Sequence, residues 1–256
     1  MGPGFAHVGV IGALPEEVEL LDAHLEDAAT SRIARRSYRT GTLPVAGGAQ
    51  RVTLVQSRMG KVAAAVTATT LIREFGVDAV VFTGIAGALS DVVRIGDVVV
   101  ATDLVQHDVQ GPPDHFGRGE IPLLGTREFV ADAALSDAAV AAAASFFEND
   151  LDTVVDDAVR AELGIGRPRV HRGRIVTGDE FIHGDGKAVV VDRDDAALCV
   201  DMEGAAVAQV CFEHGGVPLC VIRAISDLAS GDAVTDFPVF RDALARHYAW
   251  EIVRRM

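Results

Sequence analysis

The chain has 256 residues, 49% of them hydrophobic, and its 37 acidic residues outnumber 23 lysines and arginines for a formal net charge of −14. That length and apolar content suffice to bury one sizeable core, so a single domain over residues 1–256 is expected. The acidity argues against a nucleic-acid partner and against an anionic membrane surface.

The opening "MGPGFAHVGVIGALPEE" has no basic segment leading into a long apolar one, so no signal peptide is expected. No apolar run approaches ~18 residues free of charge and glycine, as a membrane-spanning helix requires. Cys199, Cys211 and Cys220 sit in apolar contexts and form no CxxC. They read as buried thiols of a protein in a reducing cytoplasm.

In chain order, "HVGVIGA" (7–13) is an apolar run typical of a strand buried on both faces. Pro15 suits the first turn of a helix, "PEEVELLDAHL", with Val18, Leu21 and Leu25 at helical spacing. The basic stretch holding Arg32, Arg35, Arg36 and Arg39 reads as an exposed strand and turn. "RVTLVQS" (51–57) is a strand, and "GKVAAAVTATTLIREFG" (60–76) an alanine-rich helix. "DAVVFTGIAGAL" (78–89) is a strand running into a glycine-bearing turn, and "IGDVVVATDLVQ" a further strand. Residues 107–125, with three prolines and four glycines, form a long loop of the kind that is often functional.

A helix is expected over 129–147 and a strand with a loop over 170–182. The strand "AALCVD", the helix "GAAVAQVCFEHGG", the strand "PLCVIRAIS" and an amphipathic helix from about Phe237 to Arg255 complete the chain. Strands alternating with helices define an α/β fold with a central mixed, mostly parallel sheet flanked by helices.

Ligands in such folds sit beyond the carboxyl ends of the strands. Leu14 and Glu17 follow the first strand and Met59 the second. "TGIAG", with Gly84 and Gly87, follows the third; its glycines serve either a tight turn or the close approach of a ligand. Phe181 and Ile182 follow the strand near 170, and Asp201, Met202 and Glu203 the next. Ser226 and Asp227 follow the last, and Arg223 lies within it. Several carboxylates, an aromatic and two methionines on one rim suit a small, partly apolar, hydroxylated ligand and acid/base chemistry. Neither glycine-rich turn is GxGxxG or GxxxxGK[ST], so no nucleotide cofactor is expected. His107 and His171 lack partners at ligand spacing, so no metal is expected.

Six stretches in order resemble the 5′-methylthioadenosine/S-adenosylhomocysteine nucleosidases of the nucleoside phosphorylase superfamily. They are "VGVIGALPEEVELL", "SRMGKVAAAVTAT", "TGIAGAL" with "RIGDVVVA", "IVTGDEFI", "VDMEGAAVAQVC" and "VIRAISD". The resemblance implies hydrolysis of the N-glycosidic bond of adenine nucleosides bearing a 5′-thioether. It makes Asp227 the acid that protonates adenine N7, and Glu17 the base for the attacking water. Glu203 would hold the ribose hydroxyls, with Met202 under the sugar and Arg223 positioning Glu203 and the water. Phe181 would stack on adenine and the Ile182 backbone would read its edge. Leu14, Met59 and Phe237 would form the thioether pocket, and Gly87 and Ser226 would contact the ligand.

The resemblance also implies a homodimer in which the neighbour's loop, here with Phe116 and Pro122, completes that pocket. Ile85 stands in place of a small hydroxyl residue, and Arg58 where glycine is common. An arginine there leaves a phosphate-dependent phosphorylase as the alternative, although "ALPEE" lacks a phosphate-holding pattern. Aminofutalosine and 5′-deoxyadenosine remain alternative substrates. A non-catalytic nucleoside-binding protein is the third reading, disfavoured by Glu17, Glu203 and Asp227 occurring together.

Overall fold

The computed structural model describes residues 4–256. The chain runs β1 (Val8–Gly12), α1 (Pro15–Ala23), then β2 (Glu26–Ile33), β3 (Arg36–Val45) and β4 (Gly48–Gln56). After α2 (Lys61–Glu74) come β5 (Ala79–Ala88), β6 (Val98–Gln106), the short β7 (Glu128–Val130) and the helices α3 (Ala133–Asn149), α4 (Leu151–Val154) and α5 (Asp157–Glu162). The last third holds β8 (Val170–Thr177), α6 (Gly186–Arg193), β9 (Ala197–Asp201), α7 (Gly204–Glu213), β10 (Leu219–Asp227), α8 (Ala233–Phe240) and α9 (Arg246–Val253). No helix among the described residues is long and apolar enough to cross a membrane.

All strands belong to one mixed sheet. β1, β4, β5 and β10 run parallel at its centre, and the meander β2–β3–β4 is antiparallel. Beyond β5 the sheet curls on itself: β5, β10, β6, β8 and β9 pair in a closed circuit. The central strands are apolar on both faces because both are covered. In β1, Val8 and Val10 enter a core shared with α1, α3 and α9, whereas Ile11 enters the one shared with α2 and α7. The same alternation runs through β10: Cys220, Ile222 and Ala224 face one core, Leu219, Val221 and Ile225 the other. Arg223 therefore belongs, by parity, among Val221 and Ile225.

Three expected elements differ from those observed. "TGIAG" does not turn; β5 continues through it, because Gly87 and Ala88 pair antiparallel with Val200 and Cys199. The helix expected over 129–147 begins only at Ala133: Phe129 pairs with Leu104 in β7, and Asp132 caps the helix by accepting the Leu135 N–H at 2.9 Å. The terminal helix starts earlier, at Ala233, and is broken by a π-helical turn over Arg241–Ala245. Pro238 lies within α8 just before that turn, and a proline there removes a donor and crowds the preceding turn. The basic stretch is the exposed β2–β3 hairpin, whose turn residues Ala34 and Arg35 both take left-handed conformations, with φ of 47° and 60°.

Candidate active site

A cavity of about 220 Å³ opens at the rim where β1, β4, β5, β8, β9 and β10 end. Glu17, Glu203 and Asp227 all line it, and each is at most 5% exposed. A carboxylate this deep is costly unless donors converge on it or it keeps its proton, and the three meet that demand differently.

Glu17 is the third residue of α1, placed by Pro15 in the first turn. Its side chain reaches back to the Leu14 N–H at 2.9 Å, the glutamate half of a capping box. The same oxygen accepts from Ala13 N at 2.5 Å, and Oε1 accepts from Ile85 N at 3.1 Å. A carboxylate has about four acceptor sites, so three backbone donors leave Oε1 one for another ligand. Burial raises the Glu17 pKa, while the Arg223 charge and the three N–H groups pull it down. Gly84 makes the arrangement possible: a Cβ there would lie 3.0 Å from both Glu17 Oε1 and Arg223 Nη1.

Glu203 and Asp201 flank the junction of β9 and α7. Asp201 is not at the solvent: it is 5% exposed and bonds Arg223 Nε at 2.8 Å. It also accepts the Thr177 hydroxyl at 2.5 Å and the Gly204 N–H at 3.1 Å, capping α7. Arg223 thus hydrogen-bonds Asp201, and its charge acts on Glu203 without a direct hydrogen bond; it is not among the residues that line the cavity. Its guanidinium carbon lies 4.1 Å from the centre of the Phe82 ring, and Nη2 is buried with no partner among the described residues. Glu203 instead takes its bond from the Gly60 N–H, 2.8 Å from Oε1. Burial, then the neighbouring Asp201 charge, raise the Glu203 pKa; Arg223 and Gly60 oppose them.

Asp227 ends β10. Ala229 N donates to Oδ1 and the Ser226 hydroxyl to Oδ2, both at 2.8 Å. Burial raises its pKa against those two hydrogen bonds. A Cβ on Gly87 would lie 2.9 Å from Asp227 Oδ1, so close approach, not turning, is what this glycine permits.

The remaining wall is largely apolar. Phe181 from the loop after β8 and Phe237 from α8 meet edge to face, with ring centres 5.4 Å apart. Leu14, Met59, Gly87, Ile182, Met202 and Ser226 join them around the cavity. Phe116 and Pro122 lie outside it, both within reach of a side chain at Gly111. Arg58 has φ of 73°, a conformation suited to the glycine common there, and its guanidinium leaves the cavity to donate to Arg35 O at 2.6 Å.

Sequence reading missed the Gly60 N–H, the Thr177 hydroxyl and the Asp201–Arg223 pair. Backbone donors leave no residue signature. The ion pair does leave one: Asp201 ends one apolar run and Arg223 interrupts another, and such buried charges need each other.

The protein-family model of the Phosphorylase superfamily matches residues 7–256, which places this sheet and its carboxylate-lined cavity in that class. A 5′-methylthioadenosine/S-adenosylhomocysteine nucleosidase of Mycobacterium bovis is 36% identical over 255 residues, 96% of this chain and 95% of the relative. The crystal structure of the corresponding nucleosidase of Neisseria meningitidis, in complex with methylthio-immucillin-A, matches with a TM-score of 0.80 at 35% identity, covering 97% of this chain and 99% of that one. The nucleosidase of Colwellia psychrerythraea, in complex with adenine, matches with a TM-score of 0.81 at 31% identity, covering 97% and 93%. The chain belongs to the 5′-methylthioadenosine/S-adenosylhomocysteine nucleosidase family.

Proposed function

We propose that the protein hydrolyses the N-glycosidic bond of 5′-methylthioadenosine and S-adenosylhomocysteine and releases adenine. The observation that carries this reading is one cavity lined by two carboxylates with different hydrogen-bond partners, to which we assign opposite roles. Glu17 is met by three backbone donors and the Arg223 charge, which favour its anion against the upward pull of burial and leave one acceptor site free. It takes the proton of the attacking water. Asp227, with its pKa raised by burial, keeps a proton to give to adenine N7 as the base departs. Charge separation develops at the ribose as the bond breaks, and Glu203 stabilises the cationic sugar while accepting its hydroxyls. Phe181 stacks on adenine, the Ile182 backbone reads its edge and Met202 packs against the sugar. Leu14, Met59 and Phe237 receive the 5′-thioether.

The same geometry disfavours phosphorolysis. Phosphate would have to approach Glu17 and Glu203, and the Arg58 cation does not line the cavity: its guanidinium turns toward the β2–β3 hairpin. Arg58→Gly should therefore leave kcat/KM within about twofold, with or without phosphate.

Homodimer formation fits an exposed apolar stripe. Met59, which lines the cavity, is 54% exposed, and Val62 and Val66 in the first half of α2 are 77% and 39% exposed. The neighbour's loop with Phe116 and Pro122 would cover the thioether end. Cytoplasmic residence fits the three cysteines, which are buried and unpaired.

The deciding experiment is a panel of adenine nucleosides differing at the 5′ position, with adenine release followed with and without phosphate. Expected are phosphate-independent turnover and rates that fall from thioethers to adenosine. Cleavage only in the presence of phosphate would overturn the hydrolase reading. Preference for aminofutalosine or 5′-deoxyadenosine would retain the chemistry and change the substrate.

A further inference from the structure

Three loops meet beside Glu203 and are tied by an ion cluster that the chemistry above does not use. Lys61 Nζ lies 2.7 Å from Asp108 Oδ1 and 3.3 Å from Asp179 Oδ2, and its side chain is 15% exposed. Asp108 Oδ2 accepts the Asp179 N–H at 2.9 Å. Asp179 Oδ1 in turn accepts the N–H of Lys61 itself, at 3.3 Å. These four bonds link the segments that follow β4, β6 and β8 into one closed set.

The lysine is in an unfavourable place for helix stability alone. Lys61 is the first residue of α2, where the helix dipole repels a cation and no acid of the first turn offsets it. An isolated exposed ion pair contributes little, but here the charges hold backbone as well as one another. The backbone they hold includes Gly60, the residue before Lys61, whose N–H is the hydrogen bond to Glu203 Oε1. Gly60 has φ of 94° and no side chain to fix it. Its N–H direction depends on where the next residue is anchored, and that residue is anchored twice, by its ammonium and by its own N–H.

We propose that Lys61 is a positioning residue for Glu203: with Asp108 and Asp179 it locks the start of α2 so that the Gly60 N–H stays on the Glu203 carboxylate. The proposal rests on the hydrolase reading of Glu203. Misplacement of a catalytic group by about 1 Å can cost on the order of a hundredfold in rate. Loss of the ammonium frees Gly60 to drift and costs Glu203 a donor in its ribose-facing orientation.

The test is a double-mutant cycle. Lys61→Met should lower kcat/KM about tenfold in the natural enzyme but less than about twofold in a Glu203→Gln background, because the two changes act on one interaction. A purely structural lysine would cost the same in both backgrounds, and that result overturns the proposal. Amide hydrogen exchange gives a readout independent of turnover. Lys61→Met should speed exchange at Gly60 about tenfold or more and leave Leu14, bonded to Glu17, unchanged. If the natural enzyme releases no adenine, the function reading fails, while unchanged exchange at Gly60 would separately overturn the positioning role. Asp108→Asn, which removes one anchor and keeps the lysine, should show the same exchange pattern and serves if Lys61→Met does not fold.

Discussion

Asp227→Asn should lower kcat for adenine release about 10³-fold, the scale of a lost general acid, with the fold intact. The amide keeps the shape and most of the hydrogen bonds. Its oxygen still accepts from Ala229 N, and its NH2 can donate to the Ser226 hydroxyl, which then donates to Ala86 O, 3.3 Å away. What it lacks is a proton that can leave. The substitution also carries a stability signature. The folded-state pKa of Asp227 is raised, mainly by burial. The folded protein therefore binds more protons than the unfolded chain between the two values, and natural stability is lost as pH rises from the unfolded carboxylate pKa through the raised one. Asn has no charge to bury. Thermal melts should show the variant and the natural protein alike below the unfolded pKa, with the variant gaining an advantage as pH rises.

The rate profile should agree with that assignment. On the proposed roles, kcat/KM of the natural enzyme should fall at high pH as Asp227 loses its proton and at low pH as Glu17 gains one. The alkaline limb should vanish from the residual activity of Asp227→Asn. Near-natural turnover in this variant, measured as adenine released, would remove Asp227 from the chemistry.

The second large effect is structural. Asp201→Ala should destabilise the protein by about 3–5 kcal/mol, the cost of leaving a buried charge without its partner. For a chain of this size that lowers Tm by roughly 10 °C. Arg223 is 1% exposed and could not reach water, and the Thr177 hydroxyl and the Gly204 N–H would lose their acceptor at the same time. Asp201→Asn keeps the acceptor for these two groups and removes only the charge, so its loss should be smaller. Adding Arg223→Met to Asp201→Ala removes the stranded cation and should recover part of the stability. A Tm within a degree or two of natural for Asp201→Ala would show that the pair is not what holds β9 to β10. Function should also respond: the Asp201 charge helps raise the pKa of Glu203, so Asp201→Asn should shift Glu203 ionisation to lower pH.

The strands were legible because their burial on both faces writes continuous apolar runs, as in "HVGVIGA" and "PLCVIRAIS". The rim was legible because chemistry-bearing residues recur just after those runs: Glu17, Met59, Phe181, Glu203 and Asp227 surround one cavity. The partners of these residues were not. Glu17 is held by the amides of Ala13, Leu14 and Ile85, and Glu203 by that of Gly60; any residue but proline could stand at those positions. The resemblance implies a link from Arg223 to Glu203 and is silent on Asp201, whereas strand order sets β10 next to β6 and β5, from where the Arg223 Nε meets Asp201 across the interior. The continuation of β5 through "TGIAG" was hidden for a related reason. Glycines suggest a turn locally, and only the pairing with β9, more than a hundred residues later, overrides them.

The closed circuit of strands has a bearing on how the enzyme is made. β10 is the last strand synthesised, yet it seals the ring by pairing with β5 and β6, more than a hundred residues earlier in the chain. Such distant pairings form slowly. Until they do, the nascent chain carries two open strand edges, each able to recruit a neighbouring polypeptide. The strand that seals the ring is also the one that delivers Asp227. Closure of the ring and arrival of Asp227 are therefore a single event, and a chain interrupted before β10 has open edges and an incomplete cavity.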